Sequence, residues 1–240
     1  MDKNNIYNID CLDGLRQLEN DSIDLIITSP PYNKNGLNGK QKGVKWVGTI
    51  DYNNDFNVDN MNEKDYQQWQ IEVLNECFRV LKPNGSMFYN HKNRIHKGII
   101  ISPYEWILKS NFLIRQEIIW DRGSTHNVNR RRFLPTTELI FWLTKTTNPI
   151  FDRKITTKYK NEIWSFPFEK GTEHPAPFPI DLPNNIIECV QQENERLLIL
   201  DPFMGSGTVA LSALKHNCDY IGFEKFQIYI DLAKKRIEEI

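Results

Sequence analysis

The sequence predicts an α/β protein of the doubly wound kind, in which helices cover both faces of a mostly parallel sheet. Three observations lead there. Short apolar runs alternate with amphipathic stretches along most of the 240 residues, the pattern that builds strand–helix–strand crossovers. Turn residues punctuate the runs, and no repeat or low-complexity tract competes with the pattern. Hydrophobic residues make up 40% and charged residues 25%, an ordinary globular balance with enough apolar material for one large core.

The elements follow in chain order. Met1-Asp2-Lys3-Asn4-Asn5 is polar and runs straight into a strand-like segment. Ser22–Thr28 (SIDLIIT) reads as a buried strand. Glu63–Leu81 reads as a helix, because Tyr66, Trp69, Val73, Cys77 and Val80 recur at three- and four-residue spacing and form a core face. Lys82-Pro83-Asn84-Gly85 is a turn into the strand Ser86–Tyr89. Ser102-Pro103 starts a helix running to about Lys109. Gln116–Trp120 and Glu138–Leu143 are strands joined by a basic loop, and Asp181–Val190 is a helix with Pro183 in its first turn. Strand Leu197–Leu200, helix Thr208–His216, strand Tyr220–Phe223 and helix Gln227–Glu239 close the chain. One stretch, 144–173, fits poorly, and a second long loop interrupts the pattern. Residues 33–60 are a long Asn-, Gly- and Lys-rich loop, and 144–173 is polar and basic and reads as a small insert.

The formal net charge of −1 carries no hint of a partner, but its distribution does. Residues 33–48 hold Lys34, Lys40, Lys42 and Lys45 with no acid, and 121–160 hold nine Lys or Arg against three acids. Local basic patches, rather than the total, govern phosphate binding. No apolar run approaches a membrane span. The polar N-terminus resembles no signal peptide. Cys11, Cys77, Cys189 and Cys218 are scattered without a C-x-x-C pair. They are expected to be reduced thiols of a cytoplasmic protein, with no metal site.

Two motifs carry chemistry. Ser29-Pro30-Pro31-Tyr32 follows the strand ending at Thr28, and ligands of open α/β sheets bind beyond the carboxyl ends of strands. Consecutive prolines fix φ and remove two donors. The carbonyls of Ser29 and Pro30 can then stand as rigid acceptors for the two protons of an amino group. Tyr32 offers a flat face for a base that has left the helix. The second motif, Asp201-Pro202-Phe203-Met204-Gly205-Ser206-Gly207-Thr208, joins a strand to a helix. Its glycines are expected to let the backbone approach a ligand, so Gly207→Trp would fill that space. It is neither a dinucleotide G-x-G-x-x-G nor a P-loop. Glu224 ends the next strand, where an acid accepts ribose hydroxyls.

Together these residues resemble the circularly permuted (beta-group) DNA amino-methyltransferases, whose SPPY motif precedes the cofactor loop. Asp201–Thr208 is similar to that loop almost letter for letter, and the likeness covers nearly the whole chain. Glutamine and RNA-guanine methyltransferases place their cofactor loop first, and this order excludes them. The resemblance implies a seven-stranded sheet with one antiparallel strand and S-adenosyl-L-methionine as cofactor. Asn8-Ile9-Asp10-Cys11 would contact its adenine. His174-Pro175-Ala176-Pro177-Phe178-Pro179 would wrap its methionine end. Asp201, Pro202, Phe203, Gly205, Ser206, Gly207, Thr208, Glu224 and Lys225 would complete the pocket, with Ser29 touching both cofactor and base. Residues 1–143 form the catalytic half, 144–173 a target-recognition insert and 174–240 the cofactor half. Lys34, Lys40, Lys42, Lys45, His126, Arg130, Arg131 and Arg132 are candidates for gripping duplex DNA. Relatives with serine before Pro-Pro-Tyr mostly methylate cytosine N4, and those with an acid mostly methylate adenine N6. The implied activity is therefore site-specific cytosine-N4 methylation in a restriction-modification system, with a cognate endonuclease and a homodimer as possible partners. Adenine N6 is the nearest alternative. A non-catalytic DNA-binding subunit of a heterodimer is a further one, disfavoured by the intact motifs. A nicotinamide oxidoreductase is disfavoured by the glycine pattern.

Overall fold

The computed structural model describes residues 1–33, 61–125, 130–152, 161–166 and 179–239. Its strands are β1 (Asn5–Asn8), β2 (Ile23–Thr28), β3 (Leu81–His91), β4 (Arg94–His96), β5 (Ile99–Ile101), β6 (Leu113–Asp121), β7 (Thr137–Thr144), β8 (Ile163–Ser165), β9 (Leu198–Asp201) and β10 (Asp219–Glu224). Its helices are α1 (Cys11–Leu15), α2 (Glu63–Val80), α3 (Tyr104–Ile107), α4 (Asp181–Val190), α5 (Thr208–Lys215) and α6 (Gln227–Glu238). The main sheet runs in the order β1-β10-β9-β2-β3-β7-β6-β8. Within it β7 alone is antiparallel to its neighbours. This is the expected mostly parallel sheet, except that it has eight strands among the described residues rather than seven. The extra one, β8, pairs with β6 through Ile119↔Ile163 and Trp120↔Trp164. It lies in the stretch expected to be an insert, and the Trp120 indole nitrogen donates to the Phe166 carbonyl at 2.9 Å. Residues 161–166 therefore join the sheet edge.

Alternation along the strands separates two apolar layers, as the period of two requires. Leu25 and Ile27 of β2 and Phe88 of β3 pack on one face with Leu182, Ile186, Val209, Ile230 and Ala233 from α4, α5 and α6. Ile26, Met87 and Tyr89 face the other way, onto Leu15, Tyr66, Val73, Cys77 and Trp106 of α1, α2 and α3. The four cysteines are buried and free. The α2 face differs from expectation at one turn: Gln70 and Leu74 are buried where Trp69 is half-buried. Gln70 is tolerated there because its amide donates to Tyr66 Oη at 2.9 Å and its carbonyl accepts from Tyr89 Oη at 2.9 Å.

Local surprises have local causes. The turn 82–85 lies within β3 as an irregularity, with Ile23 opposite Leu81 and then Leu25 opposite Ser86. The short hairpin β4–β5 has no alternation to announce it; Ile99 and Ile100 are exposed. The helix after Ser102 is a single turn whose N-cap is Pro103, with no side-chain cap bond. No helix among the described residues is long and apolar enough to cross a membrane.

Candidate active site

The carboxyl ends of β1, β10, β9, β2 and β3 share one edge of the sheet. Parallel pairing places there, side by side, Asp10 after β1, Glu224 at the end of β10, Asp201 at the end of β9, Ser29 after β2, and Asn90 and His91 at the end of β3. The antiparallel β7 begins at this edge, because Leu139 lies opposite His91, and so Glu138 arrives from the other direction.

The residue that precedes the first motif is bonded to the first residue of the second. Thr28 Oγ1 donates to Asp201 Oδ1 at 2.7 Å across 173 residues, and the Phe203 N–H donates to the same oxygen at 3.0 Å. Burial raises the Asp201 carboxyl to about 7; the Thr28 and Phe203 bonds oppose the rise and the nearby Glu224 adds to it. Glu224 is buried too, and burial raises its carboxyl above the usual range. The Gly205 N–H donates to its Oε2 and the Phe226 N–H to its Oε1, both at 2.9 Å. That holds the carboxylate in place with lone pairs remaining on both oxygens, the acceptor set two ribose hydroxyls need. Asp10 caps α1 by accepting from the Leu12 N–H at 3.0 Å, and Cys11 behind it is buried. Lys225 is exposed, and its carbonyl and that of Glu224 accept from Asn8 Nδ2.

The glycine turn differs from expectation. Gly205 has φ 51° and Gly207 φ 81°, left-handed values that favour glycine. A Cβ at Gly207 would lie 2.8 Å from Ala233 Cβ on α6, so this residue allows helix contact rather than ligand approach. Arg236 of α6, which the motifs did not single out, braces the turn by donating to the Ser206 carbonyl at 2.8 Å, to Ser206 Oγ at 3.0 Å and to Thr208 Oγ1 at 3.3 Å. Pro202 is buried; Phe203 is half-buried and meets Trp69 edge-on at 5.7 Å.

The SPPY turn is held from beneath. Tyr66 Oη donates to the Pro31 carbonyl at 2.6 Å, so this carbonyl is occupied. Pro30 is buried and Ser29 half-buried. The Tyr32 ring lies 4.5 Å from His91 and 5.4 Å from the Lys92 ammonium, so part of the flat face expected for a base meets protein. Its hydroxyl belongs to a polar cluster with Ser29, Asn90 and Glu138. Sequence reasoning missed Asn90, Glu138 and Arg122. Their signal was present: Glu138 is the one charge in the strand TELIFWLT, and a buried acid requires a partner.

The structure leaves the DNA candidates divided. Arg130 and Arg131 are exposed and Arg132 is half-buried, just ahead of the fully exposed Phe133. His174, Pro175, Ala176, Pro177 and Phe178, together with Lys34, Lys40, Lys42, Lys45 and His126, lie outside the described residues.

Comparison with known proteins gives the family and the fold. Residues 23–235 match the N6/N4 methyltransferase family, described as "DNA methylase". The chain is 30% identical over 257 residues to the Type II methyltransferase M2.MboI of Moraxella bovis, covering 100% of this chain and 89% of that protein. It is 28% identical over 265 residues to M.BglII from Bacillus subtilis, covering 96% and 68%. Its fold is similar to that of the PvuII DNA methyltransferase (cytosine-N4-specific), with a TM-score of 0.75 at 22% identity, covering 96% of this chain and 85% of that one.

Two outcomes are expected. Gly207→Ala will lower stability by about 1–3 kcal/mol in urea titration without any ligand, through its left-handed φ and the Ala233 contact. The same loss in an Ala233→Gly background would show that only φ matters. Folding raises the Asp201 carboxyl from 3.8 to about 7. Its stabilising contribution is therefore complete below the unfolded value and is lost as pH rises to the folded one. Between about pH 4 and 7 the Asp201→Asn variant should lack a falling slope of up to about 1.4 kcal/mol per pH unit, measured by chemical denaturation across that range.

Proposed function

The chain belongs to the DNA amino-methyltransferase family, whose methyl donor is S-adenosylmethionine, and on that premise we propose that it methylates cytosine N4 at a specific site in duplex DNA. The observation that carries the reading is the Thr28–Asp201 bond, which sets the SPPY turn directly beside the cofactor loop. Acceptors for an amino group and the pocket for a methyl donor then share one edge.

Glu224 would hold the ribose hydroxyls, Asp10 the adenine amino group, and the loop Asp201–Thr208 the remainder of the cofactor. Bound there, the cofactor supplies an electrophilic methyl carried on a sulfonium. Ser29 Oγ and the Pro30 carbonyl accept the two amino protons. These bonds draw electron density toward nitrogen and direct its lone pair outward. The amino nitrogen would take the methyl as the S–C bond breaks, leaving neutral S-adenosylhomocysteine, and would release its surplus proton to water. Tyr32 stacks on the extruded base. Positioning supplies much of the rate, because the methyl is already activated.

Serine at position 29 supports cytosine. A neutral oxygen accepts from the amino group without repelling the adjacent N3 lone pair, which a carboxylate would do. A carboxylate there would also sit in the same buried cluster as Glu138. Arg130 and Arg131, exposed on the loop between β6 and β7, suit phosphate, and a cognate restriction endonuclease would recognise the same site.

Digestion of DNA methylated by this protein should yield N4-methyldeoxycytidine when the nucleosides are separated. N6-methyldeoxyadenosine as the only product would replace the base assignment and keep the reaction class. Arg130→Ala with Arg131→Ala should weaken DNA binding. The slope of log K against log salt should flatten by roughly one unit for each phosphate no longer neutralised, with cofactor affinity unchanged. An unaltered slope would assign both arginines to ordinary solvated surface.

A further inference from the structure

Four side chains from across the sheet, Tyr32, Asn90, Arg122 and Glu138, converge beneath Ser29. Tyr32 Oη lies 2.9 Å from Ser29 Oγ and 2.9 Å from Glu138 Oε2. Asn90 Nδ2 reaches Tyr32 Oη at 2.9 Å, Glu138 Oε2 at 3.1 Å and Ser29 Oγ at 3.3 Å. Arg122 donates to the other Glu138 oxygen, Oε1, at 3.1 Å. Asn90 is 3% and Glu138 6% exposed, so water does not substitute for these partners.

Counting protons gives the cluster a direction. The Glu138 carboxylate, paired with Arg122, only accepts. The Tyr32 phenol has one proton, and it goes to Glu138. Burial first and Glu138 second raise the Tyr32 hydroxyl well above its ordinary value, so it keeps that proton. Toward Ser29, Tyr32 Oη is left only as an acceptor. The Ser29 proton therefore turns inward to Tyr32, and Asn90 supplies only donors to the same group. Ser29 Oγ faces the edge with lone pairs alone.

We propose that Glu138, clamped by Arg122, is a positioning residue that acts through Tyr32 to make Ser29 a pure acceptor for the amino group being methylated. A serine hydroxyl can either donate to a ring nitrogen or accept from an amino group, and this arrangement leaves Ser29 the second role. Arg122 further ties the relay to the backbone before β7, since it donates to the Pro135 carbonyl at 2.7 Å and to the Thr136 carbonyl at 3.2 Å. The inference rests on the amino-methyltransferase reading and applies equally to either base.

Glu138→Gln tests it with almost no change of shape. Arg122 requires an acceptor, so the glutamine oxygen stays with it and the amide NH2 turns to Tyr32. The Tyr32 proton then swings to Ser29, and the Ser29 proton swings out toward the base. Single-turnover transfer of labelled methyl to DNA should slow by about 10- to 100-fold, with affinities for S-adenosylmethionine and DNA within about twofold of wild type. In a Ser29→Ala background the same substitution should add less than about threefold, since residues acting as one unit are not additive. Tyr32→Phe keeps the ring and the Glu138–Arg122 pair but cuts the relay. It should reproduce the rate loss, and it decides the matter should Glu138→Gln not fold. Wild-type rates in Tyr32→Phe or in a folded Glu138→Gln overturn the relay, as does a full additional loss in the Ser29→Ala background. A wild-type chain that methylates no DNA amino group overturns the underlying functional reading as well.

Discussion

The site depends on one buried hydrogen bond, from Thr28 Oγ1 to Asp201 Oδ1 at 2.7 Å. It joins the last residue of β2 to the last residue of β9, neighbours in the sheet but separated by most of the chain. The strand pairing aligns them at Leu25↔Ile199 and Ile26↔Leu200. The side-chain bond then carries that alignment beyond the last ladder pair, where the backbone leaves the sheet in two different turns. Without it, the Pro-Pro turn and the glycine turn would each keep a local shape but lose a common frame. Catalysis by positioning is sensitive to displacements of about 1 Å.

The same edge concentrates buried acids, and each is accommodated differently. Asp201 sits where burial favours its neutral form up to about pH 7. Glu224 is held by the N–H groups of Gly205 and Phe226. Glu138 faces Arg122 in a pair whose two side chains are 8% and 9% exposed. A buried pair of this kind adds little net stability, yet removal of one member alone costs about 3–5 kcal/mol. Its retention beside the SPPY turn fits a role in orienting protons rather than in holding the fold together. The exposed arginines lie on the loop between β6 and β7.

The antiparallel strand has a functional consequence. A parallel β7 would present its carboxyl end at the site, with Leu143 and Thr144 in place of Glu138. Because the chain enters β7 from the site edge, its second residue reaches the cluster, with Trp120 opposite it on β6 and Arg122 two residues beyond Trp120. The β6–β7 loop is thereby anchored by Arg122 at its base while Phe133 at its far side is fully exposed.

Much of this protein was legible in its sequence, because local periodicity and turn chemistry are local properties. The helix Asp181–Val190 has the bounds its periodicity predicts, and most other elements differ by a few residues at their ends. The SPPY and DPFMGSGT motifs stood out because proline fixes φ and glycine admits left-handed φ wherever they occur. Elements without alternation, the β4–β5 hairpin and β8, were not legible, since three residues hold no period. Nor was the direction of the Ser29 proton. That direction depends on Tyr32 meeting Glu138, 106 residues away, and on Arg122 meeting Glu138 in turn. That Gly207 faces a helix was likewise set by Ala233. Sequence determined which groups could accept a proton or approach a ligand; only tertiary packing, by burying them beside particular distant partners, decided which of those options each group takes.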